Sequence, residues 1–155
     1  LVSMLTLIHQ ANHPPVYGVA FNRAQGFFRR IGDDPADETR PGLLMMRAEG
    51  RLNFANAANA QEKMQALTAA TTPAPRVIVL DCSAIPDIEY TALLMLIDGE
   101  RKQRERGVSL WLAGLNPGFE AVLDRSPLGA VIGPGRRFHT LQQALEAFER
   151  AEPTP

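Results

Sequence analysis

The hydrophobic residues of this chain form short strand-like runs that alternate with stretches of helical spacing from residue 43 onward. The clearest strand is residues 76–81, which is apolar on both faces, as a central strand covered by helices should be. Further strands are predicted at residues 43–48 and 108–113, and residues 52–54 alternate like a strand or one arm of a hairpin. This alternation predicts an α/β fold, with a mixed, mostly parallel sheet of roughly four to five strands and about four helices.

The segments between these strands have helical spacing and carry helix-end signals. Asn56 can cap a first helix. The predicted inward face of that helix contains Ala57, Ala60, Met64 and Leu67. A second helix is expected from about Thr91 to Arg106, and Gly107 follows it at the position favoured for a C-terminal cap. Asn116 followed by proline predicts the start of a short helix, and residues 140–143 form a capping box ahead of a last helix.

The pattern is weaker towards the ends of the chain. Residues 16–21 are expected to form a first strand or an extended segment, and the charged residues 33–42 a loop. A brief strand is predicted near residues 130–132, and the tail, residues 152–155, is predicted to be disordered. Residues 1–8 are apolar and uncharged, and two interpretations stay open for them. They could follow a membrane segment of a longer protein, or form an amphipathic helix that packs on its own domain.

Composition narrows the classes of function. The net charge of −1 argues against a nucleic-acid binder, because such proteins need a basic face. The single cysteine, Cys82, excludes an internal disulfide and fits a reducing compartment. The histidines, His9, His13 and His139, lack the spacing of metal ligands. The longest apolar stretch, residues 110–115, is far shorter than the ~20 residues of a membrane span.

The ends of the predicted strands hold the candidate chemistry, because sites in open α/β sheets form there. Residues 81–91 contain no glycine, which excludes the glycine-rich loops that bind dinucleotides and phosphates. Cys82 lacks a nearby histidine, and an adjacent carboxylate raises a thiol pKa, so we favour a small core-edge residue over a nucleophile. Asp81, Asp87 and Glu89 could hold Mg²⁺, although helix caps or solvated carboxylates are the favoured interpretation.

Two basic segments also have a simpler interpretation. Residues 101–106 could be a contact patch, but the interleaved glutamates favour a solvated helix surface. Residues 133–137 could bind an anion, but a turn is the simpler account. Because no nucleophile and base can be paired, the sequence predicts a domain that is not an enzyme and has no cofactor or metal.

Residues 77–93, VIVLDCSAIPDIEYTAL, resemble the signature of STAS domains, which occur in anti-sigma-factor antagonists and at the C-termini of SulP anion transporters. In that family a strand, a loop and a helix start carry an acidic residue, hydroxyl residues, a small residue and leucine. Those places are held here by Glu89, Tyr90, Thr91, Ala92 and Leu93. Residues 42–57 and 107–117 are similar to strand and helix entries of the transporter branch, so the resemblance covers nearly the whole chain.

The resemblance implies the STAS fold within a larger protein that transports sulfate, bicarbonate, a dicarboxylate or another anion. It implies that residues 1–15 are the end of a transmembrane region and its linker, residues 16–150 the STAS domain, and residues 151–155 the tail. The domain would lie at the cytoplasmic face of the plasma membrane and modulate transport. Its implied partners are the transmembrane domain of the same transporter and its own counterpart in a homodimer.

One position departs from the antagonist branch of the family, in which the phosphorylated hydroxyl residue is usually serine. Its place here is Tyr90, in a predicted regulatory loop with Glu89 and Thr91. Thr91 stays a candidate phosphorylation target, because a helix N-terminus favours a phosphate dianion, although Glu89 would oppose it by repulsion. The favoured interpretation is that Thr91 caps the helix and that Tyr90 packs.

Two other functions stay open at this point. The chain could be a free-standing anti-sigma-factor antagonist or stress-signalling switch, although Tyr90 and the apolar start count against it. It could also be a nucleotide-binding regulatory module, since the resemblance implies that some members bind nucleotides. Asp81, Asn116 and Arg136 are the candidate contacts for an anion, a nucleotide or a cytosolic protein partner.

Overall fold

The β-strands of the described residues, 2–151 of this computed structural model, pair into one mixed sheet. They are β1 (Val16–Asn22), β2 (Phe27–Arg30), β3 (Asp37–Glu38), β4 (Leu43–Ala48), β5 (Val77–Asp81), β6 (Ser109–Ala113) and β7 (Arg137–Phe138). Their order is β2-β1-β4-β5-β6-β7, with β3 also paired to β1. Strands β4 to β7 run parallel, whereas β1 is antiparallel to β4. Helical crossovers supply the long connections that parallel neighbours require.

The helices lie on both faces of this sheet, which confirms the predicted α/β class. They are α1 (Val2–Asn12), α2 (Ala57–Ala70), α3 (Tyr90–Glu105), α4 (Pro117–Asp124), α5 (Pro127–Val131) and α6 (Leu141–Ala151). A 3-10 turn, Pro134–Arg136, precedes β7. The larger core layer lies under α2, α3 and α4 and includes Met46, Leu80, Leu93 and Phe119. The smaller layer lies under α6 and includes Met45, Val79, Leu145 and Phe148.

Helix α3 ends as its sequence predicts. Gly107 has a φ of +79°, a left-handed conformation that costs glycine little. Its N–H donates to the carbonyl of Arg104 over 2.9 Å, and the N–H of Val108 donates to that of Gln103 over 3.0 Å. These two bonds form a Schellman motif, which satisfies the last carbonyls of the helix and turns the chain into β6.

Two of the four predicted N-terminal caps, those of Asn116 and Thr140, are confirmed. Asn116 Oδ1 accepts from the N–H of Phe119 over 2.8 Å at the start of α4. Thr140 Oγ1 accepts from the N–H of Gln143 over 3.2 Å at the start of α6. The cap predicted for Asn56 is wrong, because its side chain makes no capping bond to α2 and bonds instead to other parts of the chain.

Two strand predictions are also wrong. Residues 130–132 are not a strand, because Pro127 opens helix α5, and the N–H of Ile132 donates to the carbonyl of Leu128 over 2.8 Å. Residues 52–54 form no hairpin. Leu52 makes an isolated parallel bridge to Ile88 and is fully buried. The alternation of apolar and polar residues at 52–54 therefore reflects one buried residue in a loop.

The sheet edge beyond β1 was not predicted. Strand β2 has little buried surface, and the short β3 lies within residues 33–42, which were expected to form only a loop. Asn22, which is fully buried, holds this edge by donating to Asp34 over 3.0 Å and to Asp37 over 2.8 Å. The Asn22 hydrogen bond holds the pKa of Asp37 below its usual value. The predicted disordered tail lies outside the described residues.

Helix α1 does not pack on the domain, and none of its residues is buried. Its large apolar side chains are half to four-fifths exposed, from Ile8 at 50% to Val2 at 80%. The alternative in which residues 1–8 pack on their own domain is therefore wrong for the residues described. No helix within residues 2–151 combines the length and apolar content needed to cross a bilayer.

Two phenylalanines, one buried in the larger core layer and one exposed, test this packing. Replacing Phe119, which is 1% exposed, by alanine should lower the free energy of unfolding by about 3–5 kcal/mol, because it removes a core aromatic and leaves a cavity. Phe54→Ala is the matched control, since Phe54 is 73% exposed and its loss should change stability by less than about 0.5 kcal/mol. Urea unfolding of both variants measures the difference, and equal losses would contradict the assigned core.

Candidate functional site

The β5–α3 loop, residues 82–89, lies at the carboxyl end of the central strand. The N–H of Cys82 donates to the carbonyl of Ala113 over 2.8 Å, which joins the start of the loop to β6. Ile85 and Ile88 are buried, at 0% and 2% exposure. The loop is thus anchored by two apolar side chains, with Ser83 before them, Asp87 between them and Glu89 after them.

One side of this loop is held by a bridging segment, residues 49–56, which connects β4 to α2. The N–H of Gly50 donates to the carbonyl of Ala84 over 2.9 Å. Leu52 bonds twice, donating to the carbonyl of Asp87 over 3.1 Å and accepting from the N–H of Glu89 over 2.9 Å. The bridging segment and the loop therefore form one hydrogen-bonded unit, in which movement of either strains the other.

The other side of the loop is held by Asn116, a predicted ligand contact. Its Nδ2 donates to the carbonyls of Ile85 and Pro86 over 3.1 and 3.2 Å, while its Oδ1 caps α4. Both ends of this amide are therefore bonded within the protein. Asn116 fixes the distance between the β5–α3 loop and α4.

Asp81, the second predicted contact, forms a buried ion pair. Its Oδ2 accepts from Nε of Arg47 over 2.6 Å, and its Oδ1 accepts from the N–H of Ser83 over 3.0 Å. The carboxylate side chain is 4% exposed and the guanidinium side chain 24%. Burial by itself lowers the pKa of Arg47. The hydrogen bond to Asp81 and the negative charge of Asp81 raise that pKa by more, so the net pKa of Arg47 is raised.

Gly114 makes room for this pair at the end of β6. A Cβ at this position would lie 3.1 Å from Oδ1 of Asp81 and 3.0 Å from Cβ of Ser83. The φ of Gly114 is +71°, which also favours glycine. The buried carboxylate therefore depends on a close approach that only glycine allows without displacing it.

Tyr17 extends the polar network onto β1. Its hydroxyl donates to Oε1 of Glu49 over 2.5 Å, and the guanidinium carbon of Arg30 lies 5.1 Å from the centre of its ring. Burial and the bond to Glu49 raise the pKa of Tyr17 above its ordinary value. This network was missed from the sequence, although Arg47, a lone charge inside an apolar strand, was an available signal.

Glu89, Tyr90 and Thr91 lie at the start of α3, as predicted, but the expected roles of two of them are wrong. Glu89, rather than Thr91, occupies the N-cap position, and its side chain does not cap the helix. Its Oε2 accepts instead from the N–H of Phe54 over 3.4 Å. Tyr90 does not pack into the core and is 42% exposed, and Thr91 is exposed as well.

An exposed apolar surface adjoins this helix start, and we call Phe54, Tyr90 and Leu94 the contact patch. Their exposed fractions are 73%, 42% and 43%. Tyr90 and Leu94 are four residues apart in α3, which places them on one helix face. The bond between Phe54 and Glu89 holds the third member beside them. Aromatic side chains exposed together are typical of protein contact surfaces.

The other candidate groups are engaged in separate interactions. Cys82 is 1% exposed, and burial together with the charge of Asp81 raises the pKa of its thiol, which makes it a poor nucleophile. Asp87 pairs with Arg51 over 3.3 Å, apart from the Asp81 pair. Within residues 2–151 no cluster of His, Cys, Asp and Glu could hold a metal ion. Among the described hydrogen bonds and ion pairs, none joins Arg136 to Asp81 or Asn116.

The end of α1 and the residues that follow it are tied to the same unit. Nδ2 of Asn56 donates to the carbonyl of Ala11 over 3.0 Å, and Nζ of Lys63 donates to that of Pro14 over 2.8 Å. The N–H of Glu49 donates to the carbonyl of Pro15 over 3.0 Å. The linker, residues 11–15, is therefore fastened to the bridging segment and to α2 by three bonds.

The sequence matches the STAS domain family over residues 34–144, which include the β5–α3 loop. The chain belongs to the STAS domain family. It is 26% identical over 158 residues to sulfate transporter 3.2 of Arabidopsis thaliana, covering 96% of this chain and 24% of that protein. It is 28% identical over 151 residues to a probable sulfate transporter of Mycobacterium tuberculosis, covering 96% of this chain and 27% of that protein.

These relatives confirm the resemblance to the SulP transporter branch, and the STAS chain spans about a quarter of their length. The fold matches murine Solute Carrier 26 family member A9, an anion transporter in the inward-facing state. The TM-score is 0.82 at 16% identity, over 97% of this chain and 24% of that one. The anti-sigma factor antagonist SpoIIAA also shares the fold, with a TM-score of 0.58 at 14% identity over 76% of this chain and 96% of that one.

The buried pair between Arg47 and Asp81 leads to a stability prediction. Arg47→Met should lower the free energy of unfolding by about 3 kcal/mol, because it leaves the Asp81 carboxylate buried without its cation. Arg101→Met is the control, since Arg101 pairs with Asp98 where both side chains are about half exposed, and its loss should have little effect on stability. Urea unfolding at neutral pH measures both, and a loss at Arg47 as small as that at Arg101 contradicts the pair's role.

Tyr17 gives a prediction at high pH. Because its folded pKa is raised above 10.0, the stability it contributes is complete below pH 10.0 and is lost as the pH rises through the folded pKa. The near-ultraviolet absorbance of tyrosinate should show a late ionisation that Tyr17→Phe removes. The sequence has two tyrosines, so Tyr90→Phe is the matched control and should keep the late step. If Tyr90→Phe removes it instead, the assignment is wrong.

Proposed function

We propose that this STAS chain is the regulatory and protein-contact domain of a SulP-type secondary anion transporter of the sulfate, bicarbonate or dicarboxylate class. Residues 1–15 are the end of the membrane region and its linker, residues 16–150 the domain, and residues 151–155 its tail. The domain lies at the cytoplasmic face of the plasma membrane and is not catalytic. The observation that carries the proposal is helix α1, whose apolar side chains are not covered by the domain.

Helix α1 needs apolar surroundings that the domain does not provide. Val2, Met4, Leu5 and Leu7 are each about two-thirds exposed or more. Holding so much contiguous apolar surface in water is unfavourable, and patches of this kind mark contact with a protein or a membrane. The membrane domain of the same transporter provides that cover in this proposal.

The ties at the end of α1 support a route for regulation. Displacement of α1 pulls on Asn56 and Lys63 through the carbonyls of the linker. The bridging segment carries the strain to the β5–α3 loop through the bonds of Gly50 and Leu52. Binding or modification at Tyr90 or Thr91 would act along the same route in reverse, because coupling between two sites is reciprocal.

The contact patch is the surface that meets the membrane domain or the second protomer of a homodimer. Phe54 and Tyr90 supply the aromatic area that such interfaces favour. The nucleotide-binding alternative is not favoured, because the side chains of Asn116 and Asp81 already form hydrogen bonds within the protein. Tyr90 likewise fits a protein contact better than the serine switch of the antagonists.

The coding sequence of the parent protein tests this proposal directly. We expect a long hydrophobic region encoded immediately upstream of residue 1, because α1 is interpreted as its continuation. A free-standing reading frame for the STAS domain would overturn the proposal and favour a signalling switch.

The chain's two lysines test the regulatory route in the full-length protein. Lys63→Met removes the bond to the linker, and we expect it to change the rate of sulfate uptake by about fivefold at equal abundance in the membrane. Lys102→Met is the matched control, because Lys102 pairs with Asp98 on the exposed surface of α3, and this variant should leave uptake unchanged. Uptake of labelled sulfate into proteoliposomes measures both variants.

The thermal unfolding of each variant, measured on the 155-residue chain, separates a change of coupling from a loss of fold. A change of uptake in Lys63→Met with unaltered thermal stability supports the route. Uptake equal to that of the unmodified transporter in both variants contradicts it.

A further inference from the structure

A cavity of about 70 Å³ lies between α2, α3 and the sheet, away from the β5–α3 loop and the contact patch. Its walls are mostly apolar and include Met46, Met64, Leu80, Leu110 and Phe119. Apolar walls suit the aliphatic part of a small molecule, because burying that part releases it from water. One water molecule occupies about 30 Å³ in the liquid, and a methylene group is of similar size. The cavity therefore has room for two to three such groups.

One charged group interrupts this apolar lining. Glu100 of α3 lines the cavity, and its side chain is 2% exposed. Its Oε1 is buried and accepts no hydrogen bond from any described residue. Nε of Arg104 forms an ion pair with this oxygen over 3.3 Å, but the contact lacks the alignment of a hydrogen bond, and the Arg104 side chain is about half exposed. A buried carboxylate oxygen in this position favours a donor that carries positive charge.

Polar side chains of both helices also belong to the lining of the cavity. Gln61 and Gln65 of α2 and Gln103 of α3 also line the cavity. A Cβ at Gly99 would lie 2.6 Å from Nε2 of Gln61, so the absence of a side chain at Gly99 lets Gln61 lie against α3. Glutamine side chains are long and have many rotamers, so those of the lining can move to admit a small polar head group.

We infer that this cavity is a binding site for a small aliphatic primary amine. The alkyl chain occupies the apolar part, and the ammonium group donates to Oε1 of Glu100. The same geometry orders the ligands by their head group. An ammonium binds most tightly, a hydroxyl less so because it donates without charge, and a carboxylate least because it repels Glu100.

The methionines of the 155-residue chain report binding directly. The protein has five methionines, of which Met46 and Met64 line the cavity, while Met45 packs in the core layer under α6. With carbon-13-labelled methionine methyl groups, the chain is titrated with n-propylamine, 1-propanol and propionate at constant pH and ionic strength. We expect n-propylamine to produce saturable shifts of Met46 and Met64 and none of Met45. Propionate should bind at least about tenfold more weakly.

A pair of variants isolates the role of the carboxylate. Glu100→Gln preserves shape but removes the charge, and it should weaken n-propylamine about tenfold while leaving 1-propanol little changed. Glu105→Gln is the matched control, because it removes a charge from the same helix where the side chain is 62% exposed, and it should bind as the parent chain does. If Glu100→Gln fails to fold, the order of affinities of n-propylamine, 1-propanol and propionate for the unsubstituted chain still tests the role of the carboxylate.

Three results would overturn the inference. They are the absence of saturable shifts at Met46 and Met64 with n-propylamine, binding of propionate as tight as that of the amine, and an unchanged affinity for the amine in a folded Glu100→Gln variant. None of these measurements involves transport, so the outcome is independent of the proposed function.

Discussion

The parallel pairing of β5 between β4 and β6 is the constraint on which the rest of this STAS domain depends. It aligns the carboxyl ends of these strands, and the register places Arg47 opposite Asp81 and Asp81 opposite Ala113. The ion pair follows from that register, because adjacent strands of a parallel sheet bring the ends of their chains to one edge. Burial then strengthens the attraction, since little water remains to screen it. Gly114 completes the arrangement by leaving space for the carboxylate.

The β5–α3 loop is stabilised by its neighbours on both sides more than by its own sequence. Leu52 and Asn116 come from different parts of the chain, yet each bonds to the loop backbone. A loop held in this way keeps its polar residues in fixed positions, which suits a surface that another protein must recognise. Tyr90 and Leu94 remain exposed beside it, although Ala92 and Leu93 of the same helix start are buried.

Several features followed from short-range patterns. The burial of β5 on both faces, the end of α3 at Gly107 and the cap at Asn116 are each set by residues within a few positions in the chain. The brief strand predicted at residues 130–132 failed for a related reason. A short apolar run fits a strand or a buried helical turn equally well, and Pro127 decided in favour of the turn.

The sequence by itself determined the α/β class, the central strand, several helix ends and the family to which the loop residues belong. Only the tertiary structure decided the partners of polar residues distant in the chain. Arg47 and Asp81 are 34 positions apart, and Asn56 reaches Ala11 across 45. Hydrophobic periodicity and capping depend on neighbouring residues and can be read locally. Ion pairs and loop contacts depend on strand register and on the packing of helices, which no local pattern encodes.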